Sequence, residues 1–533
     1  MFHNQSLQSL TITIRTFWRD LRGGIAVISG IAFLVVTIGA GVAVDFMRGS
    51  AQRKELDAAL DAAALAVGAA SITDAEQLQD LVRKYLAINY NGLGFSSGDL
   101  EISVEITDET VTIAAEQRMP TTLMKLASID TMTIASYAEV TRSQPKTELV
   151  LVLDNTGSMD NGDKLEALKE AASELTDVLF GDETASDTLK MAVVPFSTTV
   201  NVGPQYADAD WLDHEGLNPV SHLNFVDSSK HNSWAWEQLA NMDWNGCVEQ
   251  RRAGAGIDYD IDDTTPDTAN PDTLFPLFFA PDEPNDGNNA SRLSGYGSGF
   301  VNSYLDDWRS NETVSSSTKR STSLDTRQRR YEKYVGTYAS GDGPGALCTI
   351  AAITPLTGSK HTVADALDNM TASGYTNIAS GVGWGLRVLS ASVPFTEGAP
   401  YEDDDWQKVM VVMTDGENDW GSSLSNMNAS HYGGYGYPSQ SATRLGMSSI
   451  SDHDGALDAR TIAACNEVKA AGQNGNRITV YTITFGSIDE ESREMMEDCA
   501  SDSEKYFHAP DNATLQDVFE DIAASIKTIY LSK

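Results

Sequence analysis

Asp154, Thr156 and Ser158 place three oxygen-bearing side chains within five residues, directly after the aliphatic run Leu149-Val-Leu-Val-Leu153. Carboxylate and hydroxyl oxygens are the ligands that hard cations select. A second aliphatic run, Val409-Met-Val-Val-Met413, stops in the same way at Thr414 and Asp415. Between the two, Gly374-Tyr-Thr376-Asn-Ile-Ala-Ser380 offers a further hydroxyl on a Gly-flanked loop ahead of a helical pattern. Two carboxylates and three hydroxyls, completed by water, match the octahedral oxygen preference of magnesium; manganese and calcium are the alternatives. The plainer reading is that Asp154 and Thr156 cap the next helix. Capping leaves the second run, ending at Asp415, without a reason. A hydroxyl nucleophile is disfavoured by the neighbouring acids and by the lack of a His in a recognisable elbow or triad motif.

To bring these residues together, the two aliphatic runs must be neighbouring strands. Continuous apolar runs without alternation suit parallel strands covered on both faces, in sheets that bind ligands beyond the carboxyl ends of their strands. The spacing Asp154-x-Thr156-x-Ser158, with Thr376 and Asp415 far downstream, resembles the metal-ion-dependent adhesion site of von Willebrand factor A domains. Thr156 stands where that family usually has Ser, and keeps a hydroxyl donor. The resemblance implies an α/β fold with a doubly wound, mostly parallel sheet, and covers roughly the last 390 residues except for an insertion. It also implies adhesion chemistry: a cation held by Asp154, Thr156, Ser158, Thr376 and Asp415, open to an acidic side chain of a protein partner.

Helical stripes and strands fit that fold. Leu165, Leu168, Ala172, Leu175 and Leu179 form one stripe, and Leu515, Val518, Phe519, Ile522 and Ile526 a closing one; Met191–Phe196 and Ile478–Phe485 read as further strands. The A domain is therefore placed at 148–200 and 351–533. From 201 to 350 the rhythm disappears over an interval far longer than ordinary loops of roughly 4 to 6 residues, which predicts an inserted subdomain. Trp211, Trp234, Trp236, Trp244 and Trp308 would supply its core. Within it, Asp258-Tyr-Asp260-Ile-Asp262-Asp263 lacks the Gly and Glu of an EF-hand loop, so a solvated acidic run is the simpler reading. The Gly-, Ser-, Asn- and Tyr-rich stretch 421–451 is a candidate recognition loop, with disorder as its alternative.

The N-terminal part has a different character. Residues 24–44 contain no charge and are long enough to span a bilayer. Arg15, Arg19 and Arg22 on one flank balance Arg48, Arg53 and Lys54 on the other, so the basic-residue count leaves orientation open. A signal peptide cleaved near Ala43, which would release a surface adhesin, is the competing account, although its apolar core would be unusually long. Leu56, Leu60, Ala63 and Val67 continue at helical spacing in a juxtamembrane segment, 45–97. Alternation over 101–107, 110–116 and 131–140, with a helical stretch at 121–129, predicts a small α+β stalk domain at 98–142, joined by a linker at 143–147. Arg22-Gly-Gly-Ile-Ala-Val, Val44-Asp-Phe-Met-Arg and the Ala-rich run from Leu56 resemble the N-terminus of TadG-like proteins of Flp pilus assembly, the tight adherence system. That resemblance implies residues 1–23 in the cytoplasm, a single pass through the bacterial inner membrane, the bulk of the chain in the periplasm, and pilus-assembly proteins or pilin as partners.

Lys and Arg number 37 against 76 Asp and Glu, a formal charge of −39, which argues against a nucleic-acid partner. The four cysteines, Cys247, Cys348, Cys465 and Cys499, show no Cys-x-x-Cys spacing. In an oxidising compartment the expected bridges are Cys247–Cys348 and Cys465–Cys499, although four cysteines allow three pairings. A metal-dependent hydrolase is the contrasting class. It would need a positioned base and an activated water, and neither a His-Glu-x-x-His motif nor a phosphate loop is present. The expectation is a binding protein.

Overall fold

The computed structural model describes residues 24–68, 75–90, 100–106, 110–141, 146–254, 256–284, 302–421, 428, 430–445, 451–472 and 477–529. The chain forms two compact units, one up to Gln144 and the other from Pro145 to Tyr530. The expected cytoplasmic segment, most of the linker, and parts of the 45–97 connection and the 421–451 loop lie outside the described residues.

In the first unit, helix α1 (Gly24–Gly68) is a single 45-residue element, so the apolar span and the segment after it are continuous. Helix α2 (Ala75–Asn89) follows, then an antiparallel sheet of β1 (Leu100–Ile106), β2 (Thr110–Pro120) and β3 (Thr131–Thr141) in that order. Leu56, Leu60, Ala63 and Val67 of α1 share one core with Leu78, Val82 and Leu86 of α2 and with Val111, Ile113 and Ile134 of the sheet. Segments 45–97 and 98–142, separate in the sequence reading, are therefore one packed body. A three-stranded sheet has one apolar face to cover, and the helical stripe covers it. The helix expected over 121–129 is only a short 3₁₀ turn, Met124–Ala127.

The second unit is an α/β body. The strands of its main sheet are β4 (Lys146–Asp154), β5 (Leu189–Phe196), β6 (Thr354–Thr357), β7 (Trp406–Thr414), β8 (Ile478–Phe485) and β9 (Tyr506–Ala509). Their order across the sheet is β6-β5-β4-β7-β8-β9, with only β6 antiparallel. The chain thus winds outward from β4 in both directions, and β4 and β7 meet where the direction reverses.

Successive strand residues feed opposite faces, which is why the runs show no polar alternation. Leu149, Leu151 and Leu153 pack with α3 (Lys164–Phe180), α4 (Lys360–Asp368) and a C-terminal helix, Asn512–Ile529. Val150 and Val152 pack with α5 (Ile378–Leu389), α6 (His453–Ala470) and α7 (Glu490–Cys499). All twelve residues of α5 are buried, as expected of a helix enclosed on every side. Gly385 lets it lie close on the sheet: a Cβ there would stand 2.7 Å from Val152 Cγ2.

The other side of α5 is covered by the insertion. Trp211, Trp236, Trp244, Phe275 and Phe279 belong to the same core as Val150, Val152 and Trp384. The described residues of the interval 201–350 are therefore a second wall of this unit's core rather than a subdomain with a core of its own. Its acidic run is committed to arginines: Asp260 and Asp258 bind Arg460, and Asp262 binds Arg251. Cys247 is bonded to Cys348 and Cys465 to Cys499, closing separations of 101 and 34 residues. Chain entropy assigns such bridges about 5 and about 4 kcal/mol respectively.

Candidate metal centre

β4 and β7 lie in register, with Leu153 opposite Met413, so their next residues, Asp154 and Thr414, emerge side by side. Thr414 Oγ1 donates to Asp154 Oδ2 at 2.7 Å. Beyond β4 the backbone turns, with Asn155 N bonded to Phe196 O (2.8 Å), and Thr156 N donates to Asp154 Oδ1 (2.8 Å). Thr156 Oγ1 and Ser158 Oγ are 2.8 Å apart, and Ser158 Oγ donates to Asp415 Oδ1 at 2.6 Å. Four of the five residues singled out by the sequence are thus joined by hydrogen bonds, Thr156, Ser158 and Asp415 oxygen to oxygen and Asp154 through the Thr156 backbone N–H.

The fifth, Thr376, is buried and lines the same cleft of about 740 Å³ as Thr156 and Ser158. Its loop is held from both sides. Gly157 N donates to Gly374 O (3.0 Å), and Asp419 N donates to Thr376 O (3.0 Å). Asn377 then caps α5, accepting from Ser380 N at 3.1 Å. Asn418 Oδ1 accepts from Ile378 N at 2.9 Å, which fastens the start of α5 to the loop after β7.

Asp154 is fully buried, and burial first, then the charge of Asp415, pushes its carboxyl up to about 6; bonds from Thr156 and Thr414 oppose this. Asp415 has a positive partner that sequence reading missed. Lys164, the first residue of α3, places its Nζ 2.7 Å from Asp415 Oδ2. Glu417, Asp419 and Asp489 line the cleft as well. Glu417 is pushed up, by desolvation and then by Asp489, Asp419, Asp454 and Asp458.

The donor set fits a hard divalent cation. It consists of oxygens only, contains two carboxylates, and already holds a cation against Asp415 in the form of the Lys164 ammonium. Among the described residues no cluster of three or more His, Cys, Asp or Glu is arranged to hold a metal, so the donor set here rests on two carboxylates supplemented by hydroxyls. Lys164 and Thr414 carried no sequence signal beyond their proximity to α3 and Asp415. Their roles depend on strand register and on a contact across 251 residues of chain.

Lys164→Met should tighten magnesium binding about tenfold, because removing a partly exposed ammonium relieves one or two kcal/mol of screened repulsion. Calorimetric titration checks this, and unchanged or weaker binding would refute it.

Residues 23–71 match the Tad family, described as Flp pilus-assembly TadE/G-like. No curated protein matches the chain in sequence. Solved structures similar to it include the pilus adhesin SpaC from Lactobacillus rhamnosus GG (11% identity, TM-score 0.31, 80% of this chain and 33% of that one). Another is the vWF domain of the type V pili tip protein Mfa5 from Porphyromonas gingivalis (10%, 0.31, 72% and 95%). A third is the PilB minor pilin from Streptococcus sanguinis (13%, 0.30, 81% and 78%). The chain thus spans a third of the length of SpaC. At these scores the likenesses are distant, and the site rests on its own geometry.

Proposed function

Taking residues 23–71 as a TadE/G-like pilus-assembly segment, we propose that the chain is a membrane-anchored component of an Flp-type pilus system. Its second unit, read as a doubly wound domain of the von Willebrand factor A type, binds a protein partner through a divalent cation. The observation that carries this reading is the convergence of Asp154, Thr156, Ser158 and Asp415 in one hydrogen-bonded group, with Thr376 in the same cleft as Thr156 and Ser158, at the carboxyl ends of two adjacent parallel strands. Asp154 and Asp415 would supply the charge that holds magnesium, and the three hydroxyls neutral donors. When bound, the ion supplies Lewis acidity for an oxygen ligand of the partner.

The rim acids Glu417, Asp419 and Asp489 refine the choice of partner. They repel a uniformly acidic surface, so the carboxylate that enters should be carried on an otherwise basic segment of a pilin or assembly protein. The role is binding rather than catalysis. The one long apolar helix among the described residues, α1, would anchor the chain in the bacterial inner membrane with the second unit in the periplasm. Release by cleavage at Ala43 would cut α1 in the middle of an unbroken helix.

The functional test is capture of partners by the tagged full chain from solubilised membranes, with magnesium or with chelator. A pilus protein retained only with magnesium, and lost in Asp415→Ala, is the expected result; capture indifferent to both would refute the reading. For orientation, an alkaline-phosphatase fusion after Lys146 should be active, and an inactive one beside an active cytoplasmic reporter would reverse the topology.

A further inference from the structure

The connection between β2 and β3, residues 121–130, is fastened to α1 at one level. Asp45, the first charged residue after the apolar span, is fully buried. Its carboxylate accepts the backbone N–H groups of Thr122 (3.1 Å), Leu123 (2.7 Å) and Met124 (2.8 Å). Arg48 adds a contact to the same carboxylate and donates to Thr122 Oγ1 at 2.5 Å. One turn earlier on α1, Gly41 is buried against the same loop: a Cβ there would lie 2.7 Å from Leu123 Cβ. The loop is closed on itself by Thr121 N to Asp130 O (3.0 Å) and Thr121 Oγ1 to Ile129 O (2.5 Å).

This well-tethered loop turns apolar side chains outward. Leu126 is 65% exposed, Ile129 43% and Leu123 36%, with the Lys125 side chain exposed among them. Such a cluster is unusual on a surface that faces only water. Its position supplies the reason. Residues 25–44 of α1 are uncharged, and at 1.5 Å per residue they cover about 30 Å, one hydrocarbon thickness. Most of that stretch is exposed, and on α1 beside the loop Val42, Val44, Phe46 and Met47 are exposed as well. The apolar surface of the span therefore continues onto the loop at the level where Asp45 is locked to it, and on α1 extends as far as Phe46 and Met47.

We infer that residues 121–130 are an interfacial membrane anchor, in which Leu123, Leu126 and Ile129 enter the boundary between lipid headgroups and acyl chains around α1. The ligand is a phospholipid surface. Lys125 lies where an ammonium reaches lipid phosphates while its stem stays in the apolar layer. Together with the Asp45 clamp this fixes the depth and rotation of α1, and holds the β1–β3 sheet at the bilayer surface. The inference rests on α1 spanning a membrane, and its test separates the two.

The full chain carries one added cysteine at Leu126→Cys, Ile31→Cys or Tyr137→Cys, each labelled with an environment-sensitive fluorophore; the four native cysteines are bonded in pairs. Each labelled protein is reconstituted in phosphatidylcholine–phosphatidylglycerol vesicles containing lipid-borne nitroxides at shallow or deep positions. The Leu126 label should lose emission to shallow nitroxide, the Ile31 label to deep nitroxide, and the Tyr137 label, on an exposed sheet position, to neither. An unquenched Leu126 label beside a quenched Ile31 label would overturn the anchor and leave the span standing. An unquenched Ile31 label would overturn the span and the anchor together. A blue-shifted but unquenched Leu126 label would mean that protein, not lipid, covers the loop, which also overturns the inference.

Discussion

Asp154→Ala and Asp415→Ala should each abolish magnesium binding by the second unit, the largest functional effect expected from a single substitution in this chain. The two carboxylates are the only charged members of the proposed ligand set, and hard-cation affinity depends on ligand charge. Thr156→Ser should be mild, because the hydroxyl donor survives. The acids also have structural duties. Asp154 accepts from Thr156 N and Thr414 Oγ1, so truncation leaves the buried Thr156 N–H without its acceptor, at a cost of about 1–3 kcal/mol, while the Thr414 hydroxyl falls back on Gly416 O (3.0 Å). Asp154→Asn is therefore the informative companion, since it keeps the shape and one acceptor oxygen while removing the charge. Titration of magnesium into each variant, with circular dichroism as the check on folding, decides the matter. Wild-type protein that takes up no divalent ion, or a folded Asp154→Asn that binds as tightly as wild type, would sink the metal centre.

That these residues lie close together was legible because they flank recognisable elements. Two aliphatic runs stop at acids, and a buried strand in an α/β sheet has few other reasons to finish that way. Thr376 could be read because a Gly-flanked hydroxyl precedes a helical pattern. Lys164 could not: in sequence it is one polar residue at the start of an amphipathic helix, and its contact with Asp415 exists only once α3 is packed beneath β4 and β7. The stalk strands were visible from alternation. The sharing of their core with α1 and α2 was not, since a stripe such as Leu56, Leu60, Ala63 and Val67 states that a partner is needed but not which one.

The insertion was the least legible part, for a physical reason. Periodicity reports regular elements, and residues 201–350 are held instead by aromatic packing and by buried polar bonds between distant segments. Glu249 and Arg444 are 195 residues apart, yet they form a fully buried pair at 2.6 Å. The described part 430–445 of the stretch 421–451, read from composition as a loop for recognition or disorder, is anchored through this pair: Tyr432, Tyr435 and Tyr437 are buried within it. Gly433, Gly434 and Gly436 allow close packing there and Tyr432 and Tyr435 donate hydrogen bonds, and composition alone does not separate that use from an exposed loop.

Glu249→Ala should accordingly lower the stability of the second unit by about 3–5 kcal/mol, the range for breaking a buried ion pair by removing one partner. Glu249 accepts from Arg444 Nη1 and from Tyr432 OH (2.5 Å) and Asn232 Nδ2 (2.9 Å). Burial holds the Tyr432 phenol well above its usual range, so it remains a donor and loses its acceptor along with Arg444. The main penalty is the uncompensated guanidinium, and adding Arg444→Leu to Glu249→Ala should recover part of the loss even though it removes another side chain. Shifts in the urea midpoint, followed by tryptophan fluorescence from Trp236 and Trp244 in the neighbouring core, would measure both variants. A single variant within about 1 kcal/mol of wild type, or a double variant less stable than the single one, would show that the pair is not what secures the loop, because an unpaired buried charge cannot cost so little.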